Sequence, residues 1–200
     1  MIEIIGIAGS GKTTTLKELK KINPKLITHL DVSLKDLSFK ILFRHLSTLT
    51  LILYYRRSTK LFKQYIALKV IIKKTTEFNK NNVCFDHGPI FILTKLLFEI
   101  PELKKTFYKD LKECLLFFDR IVYLDASSDE LIKRINNRTQ SHRMKFSNKK
   151  KIRTFLEGYR KTFLEVASFM SNSGINVEFI NTEKKTIAEV VNSVQKIYKS

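Results

Sequence analysis

Read for its apolar and polar positions, the chain alternates short apolar runs with longer helical patterns. Ile2, Ile4, Ile5 and Ile7 read as a short buried strand, and Thr13 to Ile22 as a helix with Leu16 and Leu19 facing inward. Asn23-Pro24 breaks the chain before a second short strand, Leu26 to Leu30. From about Leu34 to Lys80 the pattern is helical and unusually apolar. Leu42, Leu46, Leu49 and Leu53 form one stripe, while Ile41, Leu51, Ile52 and Tyr55 lie on other sides. Val83-Cys84-Phe85-Asp86 is a third strand that stops at an acid, and Pro89 suits the first position of the next helix. Pro101 opens another helix, with Leu103, Phe107, Leu111, Cys114 and Phe118 at helical spacing. Arg120 to Asp125 is the fourth strand, and Ile175 to Ile180 the fifth. Ser127-x-x-Glu130 and Thr186-x-x-Glu189 match capping boxes that start helices. Between them, Ile152, Phe155, Leu156, Tyr159, Phe163, Val166 and Met170 trace one helix face. Five strands alternating with helices predict an α/β domain with a parallel sheet and right-handed crossovers. It is a single domain over 1–200, with no internal repeat and no linker.

The junction of the first strand and first helix carries the chemistry. Gly6-Ile7-Ala8-Gly9-Ser10-Gly11-Lys12-Thr13 fits G-x-x-x-x-G-K-[ST], and its strand–loop–helix setting makes it a phosphate site. Glycines let the backbone curl until successive N–H groups aim at one point, and the positive end of the helix adds to that field. Ala8 to Thr14 would hold the phosphates of ATP, Lys12 would neutralise the outer ones, and the Thr13 hydroxyl would ligate Mg²⁺. A bare glycine turn between strand and helix is the bland alternative, set aside because strand, loop and helix agree.

Other residues choose among the uses of a bound triphosphate. An Asn-Lys-x-Asp base-reading motif is missing, and neither strand-end acid, Asp86 or Asp125, is followed by a second carboxylate. Those features argue against a switch GTPase and a motor ATPase. Asp86 ends the third strand, where ligands of open α/β sheets bind. It would orient Mg²⁺ or take the proton from an acceptor hydroxyl, or else cap the following helix. Asp125 suits ordinary helix capping. Arg134 and Arg138 lie four apart on a predicted helix, and Arg143 follows in a polar segment, Asn136 to Asn148, that reads as a flap. Clustered arginines there suit the charge of a transferring phosphoryl group, the other reading being a solvated basic helix. His87, directly after Asp86, and Asp31, at the end of the second strand, are candidates to touch the acceptor, a turn role being equally open for Asp31.

With these residues in place, the chain resembles the P-loop nucleoside monophosphate kinase-like family, thymidylate kinases and deoxynucleoside kinases being nearest in length and motif order. The resemblance covers essentially the whole chain. It implies a three-layer fold with a five-stranded parallel sheet in order 2-3-1-4-5, helices on both faces, an ATP–Mg²⁺ donor and an arginine-bearing lid near 134–148. It also implies that Asn181 and Thr182 border the adenine. In that family an arginine follows the strand-end acid and holds the acceptor; here His87 stands in its place. The P-loop acid usual in thymidylate kinases is replaced by Ala8-Gly9-Ser10.

The expected activity is an ATP-dependent phosphotransferase acting on a nucleoside or nucleotide. Rival readings are a kinase of a sugar, a lipid-linked alcohol or a nucleic-acid end, and a nucleotide-binding regulatory or nucleic-acid-binding module. The net charge of +18 allows a polyanionic partner, but basic pairs are scattered along the chain as on a lysine-rich surface, so nucleic acid is not the favoured partner. A helix apolar all round must be covered on more than one side. For 41–55 the readings are burial inside the domain, a homodimer interface, or a wall of the acceptor pocket. The same stretch, broken by Arg44 and His45, is too short for a transmembrane segment. The first strand starts at the first methionine with no leader-like region, and Cys84 and Cys114 have no metal-ligand spacing. A cytoplasmic protein with reduced thiols is expected.

Overall fold

The structure is a computed structural model that describes residues 1–28, 31, 39–78, 82–137, 144 and 147–199, the side chains of 39, 40 and 199 excepted. Four apolar runs lie side by side as parallel strands: β1 (Ile2–Ile5), β2 (Cys84–Phe85), β3 (Arg120–Asp125) and β4 (Asn176–Asn181), in the order β2-β1-β3-β4. Strand alternation sends Ile2 and Ile4 to one face, where they meet Leu16, Leu19, Val122, Leu124 and Val191. Ile5, Ile121 and Tyr123 point to the other face and a larger core. Helices α1 (Lys12–Ile22) and α9 (Ile187–Lys199) cover the first face. The second is covered by α4 (Thr59–Thr75), α5 (Pro89–Glu99), α6 (Lys104–Cys114) and α8 (Lys149–Asn172). β1, β2 and the centre of β3 are buried on both faces and read as apolar runs rather than alternating ones, while the edge strand β4 keeps Asn176, Phe179 and Asn181 exposed.

Among the described residues the expected five strands in order 2-3-1-4-5 are corrected to four. Of the expected second strand, Leu26 to Thr28 contribute one parallel bridge, Ile27 to Val83, and residues 29 and 30 lie outside the described residues. The reason is local. Asp31 accepts hydrogen bonds from both the amide and the hydroxyl of Thr28 (2.8 Å each), and its own amide donates to the Thr28 carbonyl. Thr28 is thus bound into a turn instead of a ladder.

The apolar region expected as continuous helix is also divided, into α2 (Phe39–Arg44), α3 (Leu46–Arg56) and α4. Arg57 takes a left-handed conformation (φ 44°) and its amide caps α3 at Leu53 O, after which the Ser58 hydroxyl accepts from Leu61 N to start α4. The helix expected from Pro101 begins instead as a short 3₁₀ turn, Pro101–Leu103, before α6. Both capping-box sites start helices. The Thr186/Glu189 box closes in both directions. At α7 (Ser128–Asn136) the Ser127 hydroxyl caps Glu130 N, while the Glu130 side chain turns to Arg134.

A buried ion pair ties α4 to α6. Lys69 Nζ lies 2.6 Å from Asp110 Oδ1, both side chains almost wholly buried, with Glu113 at 3.3 Å and the Tyr65 ring alongside. Removing one partner strands a buried charge. Asp110→Ala should lower unfolding stability by about 3 kcal/mol in urea titration, and Lys69→Met combined with Asp110→Leu should recover most of it.

Candidate functional site

The loop between β1 and α1 is built from backbone that only glycine adopts readily. Gly6, Gly9 and Gly11 have φ of 141°, 90° and 96°. A Cβ on Gly6 would overlap Leu124 O of β3, and one on Gly9 would press on Leu131 of α7 at 3.2 Å. Ser10 N donates to Ile7 O, closing the curl, and Thr15 N donates to Gly11 O at 2.9 Å. The amides before it, at the positive end of α1, are those an anion would take. Lys12 is buried beneath the loop, its Nζ 3.0 Å from Ile7 O and 5.2 Å from the centre of the Phe91 ring. Thr13 and Thr14 are exposed on the first turn. The buried Ser10 hydroxyl has no hydrogen-bond partner among the described residues.

A cleft of about 450 Å³ opens beside this loop, lined on one side by Gly9, Gly11 and Thr14 and on the other by Lys133, Arg134 and Thr182. Arg134 is its fixed wall. The guanidinium receives the Glu130 carboxylate at 2.8 Å and donates to Thr182 Oγ1 (3.0 Å), Thr182 O (2.9 Å) and Gly9 O (3.4 Å). Thr182 itself hangs from Asp125 O through its amide and hydroxyl. One side chain therefore joins α7, the glycine loop and the turn after β4. Asn181 faces the next turn, its Oδ1 accepting from Glu183 N. Lys133 and Lys185 complete a basic lining in which Glu130 is already paired.

Asp86 follows β2 and is fully buried, with His87 Nδ1 at 3.2 Å from its Oδ2. The His87 ring meets Phe91 edge to face at 4.7 Å, so Phe91 touches both His87 and Lys12 and links strand end to glycine loop. Asp31 is engaged by Lys20 at 2.8 Å as well as by Thr28, and those contacts hold its carboxyl below its ordinary value despite some burial. Arg138 and Arg143 lie outside the described residues. Among the described residues no group of three His, Cys, Asp or Glu could hold a metal. The Thr13 hydroxyl is exposed on the first turn of α1, whereas the Asp86 carboxylate is fully buried beside His87.

No family model and no curated protein sequence matches the chain. Solved structures do. Deoxyadenosine kinase from M. mycoides with bound dATP aligns over 100% of this chain and 99% of its own, with a TM-score of 0.60 at 15% identity. Shikimate kinase from Bacteroides thetaiotaomicron aligns over 100% and 98%, with a TM-score of 0.57 at 18% identity. Thymidylate kinase from Candida albicans aligns over 99% and 90%, with a TM-score of 0.56 at 15% identity. The chain has the P-loop kinase fold.

Within that fold, one residue the sequence reading passed over lies beneath the start of α5. Glu3 of β1 is wholly buried and accepts from Ile90 N (3.0 Å) and Phe91 N (2.7 Å), capping α5 from below. A Cβ on Gly88 would clash with its carboxylate at 2.7 Å, so glycine is required there. The signal was a lone acid inside an isoleucine strand. Arg160 was passed over too: it clamps Asp125 (2.8 Å) and Ala126 O, fixing α8 against the end of β3. Burial pushes the Glu3 carboxyl up to about 8, against the pull of the Phe91 and Ile90 amides and with the push of Asp86. Between its ordinary 4.5 and about 8, the folded chain keeps a proton that the unfolded chain has released. This contribution is complete in acid and lost as pH rises. The unfolding free energy of the wild type from urea titration should therefore fall from pH 5 to pH 8 relative to Glu3→Gln, by at most about 1.4 kcal/mol per pH unit.

Proposed function

We propose that the chain is an ATP- and Mg²⁺-dependent kinase that moves a γ-phosphoryl group to a small acceptor, a nucleoside or nucleotide. The observation that carries this reading is the positive-φ glycine loop, with Lys12 beneath it and the basic cleft of Arg134 beside it. The loop amides from Gly9 to Thr14 hold the donor phosphates, and Thr182 and Arg134 border the base-ward end of the cleft. Lys12 neutralises the outer phosphates. Asp86 accepts the proton of the acceptor hydroxyl, with His87 orienting that carboxylate. Thr13 and Asp86 would hold Mg²⁺, which supplies charge neutralisation across the phosphates. Arg138 and Arg143 are assigned to the transferring group, whose charge spreads over its oxygens. The buried thiols of Cys84 and Cys114 fit a reducing compartment such as the cytoplasm.

A second acceptor class, a small hydroxylated acid or sugar, draws support from His87 standing where a nucleotide-holding arginine is expected and from the likeness to shikimate kinase. An ADP-release screen with nucleosides, nucleotides, sugars and hydroxy acids tells the classes apart. In that assay Lys12→Ala should lower turnover by about a hundredfold or more, by analogy with the loss of one preorganised charge-stabilising donor. Asp86→Asn should lower kcat by about a hundredfold while ATP affinity changes little, as removal of a general base does. Unchanged turnover in Lys12→Ala would contradict the assignment.

A further inference from the structure

Of the eleven large apolar side chains exposed among the described residues, six fall between Phe43 and Tyr55. On α3, Leu49 and Ile52 are buried in the core, whereas Leu46, Leu51, Leu53, Tyr54 and Tyr55 meet solvent. At about 100° per residue, the exposed positions 46, 47, 50, 51, 53, 54 and 55 form one continuous arc. Its only polar side chains are Ser47 and Thr50, and the Thr50 hydroxyl is turned back to Ser47 O. A water-facing helix surface without a single charge is unusual for a lysine-rich protein.

The charge stands at its ends. Arg44 precedes the helix, Arg56 and Arg57 close it, and Lys60 and Lys63 follow on the first turns of α4. Arg56 is bound to Glu102, but Arg44, Arg57, Lys60 and Lys63 are exposed and enter no salt bridge among the described residues. Residues 37–76 hold nine Lys and Arg and no Asp or Glu. The face thus joins an apolar centre to a border on which Arg44, Arg57, Lys60 and Lys63 are exposed cations and Arg56 is paired with Glu102.

We propose that the exposed face of α3 docks on an anionic lipid surface, its leucines and tyrosines entering the interface while the flanking arginines and lysines meet the headgroups. Charge complementarity selects this occupant. A second copy stacked symmetrically on the same face would bring like charges together at both helix ends, with no acid on 37–76 to offset them. Nucleic acid would match the cations, yet has no use for three aliphatic leucines. An 11-residue helix is about 16 Å long, half the hydrocarbon thickness, so it would lie in the interface plane. In keeping with this, no helix among the described residues is long and apolar enough to cross a membrane.

Co-sedimentation of the full chain with lipid vesicles tests the proposal. The wild type should bind vesicles containing phosphatidylglycerol about tenfold more than pure phosphatidylcholine vesicles, and high salt should weaken that binding. The surface variant Leu51→Ser/Tyr54→Ser should lose binding about tenfold, while circular dichroism and ATP binding stay unchanged. Arg57→Glu/Lys60→Glu should lose the preference for anionic lipid. Failure of the wild type to sediment, or equal binding by wild type and the serine variant, overturns the proposal. So does light scattering that finds a dimer abolished by the serine substitutions, since a second copy would then cover the face. Tighter capture by duplex DNA than by anionic vesicles overturns it as well.

Discussion

A stretch of main chain bent through left-handed glycines is the constraint on which the rest of this structure depends. Gly6 lets the loop pass against the carbonyl of Leu124 on β3, and Gly9 lets it pass under Leu131 of α7. The loop is therefore wedged between sheet and helix, and its amides are held in place before any ligand arrives. Such preorganisation is what makes backbone dipoles effective against a developing charge, since nothing needs to reorient during the reaction. Any side chain at these positions would force β3 or α7 away, in addition to the roughly 1–2 kcal/mol cost of a left-handed L residue.

The two faces of β1 divide the work between stability and chemistry. Ile2 and Ile4 bury into the α1–α9 layer, while Glu3 reaches the start of α5 on the other side. That contact fixes Gly88 and Phe91, and Phe91 lies against both Lys12 and His87. Arg134 performs the matching task beside the cleft, spanning α7, the loop and Thr182. The site is thus held from below by a carboxylate and from the side by a guanidinium, both largely withdrawn from water. In such surroundings a polar group must find several partners, and each of these two does.

Much of this was legible in the residue pattern. The glycine spacing, the strand before it and the helix after it gave the loop, because that geometry demands particular residue types at particular positions. The strands β1, β3 and β4 were legible as apolar runs, and α8 as a seven-residue apolar face. What the pattern could not disclose were long-range partners. Leu26 to Leu30 has strand composition, yet Thr28 is bound to Asp31 instead of a ladder partner, and only the three-dimensional pairing decides between the two. Glu3, Arg160 and Lys69 were passed over in a chain of net charge +18. Each is tied to a residue tens of positions away, an interaction with no periodicity to read. The break between α3 and α4 was not legible either: Arg57 turns left-handed although nothing in its residue type requires it.

Isothermal titration with ATP–Mg²⁺, inorganic tripolyphosphate and adenosine tests the central claim most directly. If the glycine loop grips a phosphate tail, ATP and tripolyphosphate both bind with one-to-one stoichiometry and compete, while adenosine alone binds far more weakly. Adenosine binding as tightly as ATP, or no heat with ATP and tripolyphosphate, would contradict the account.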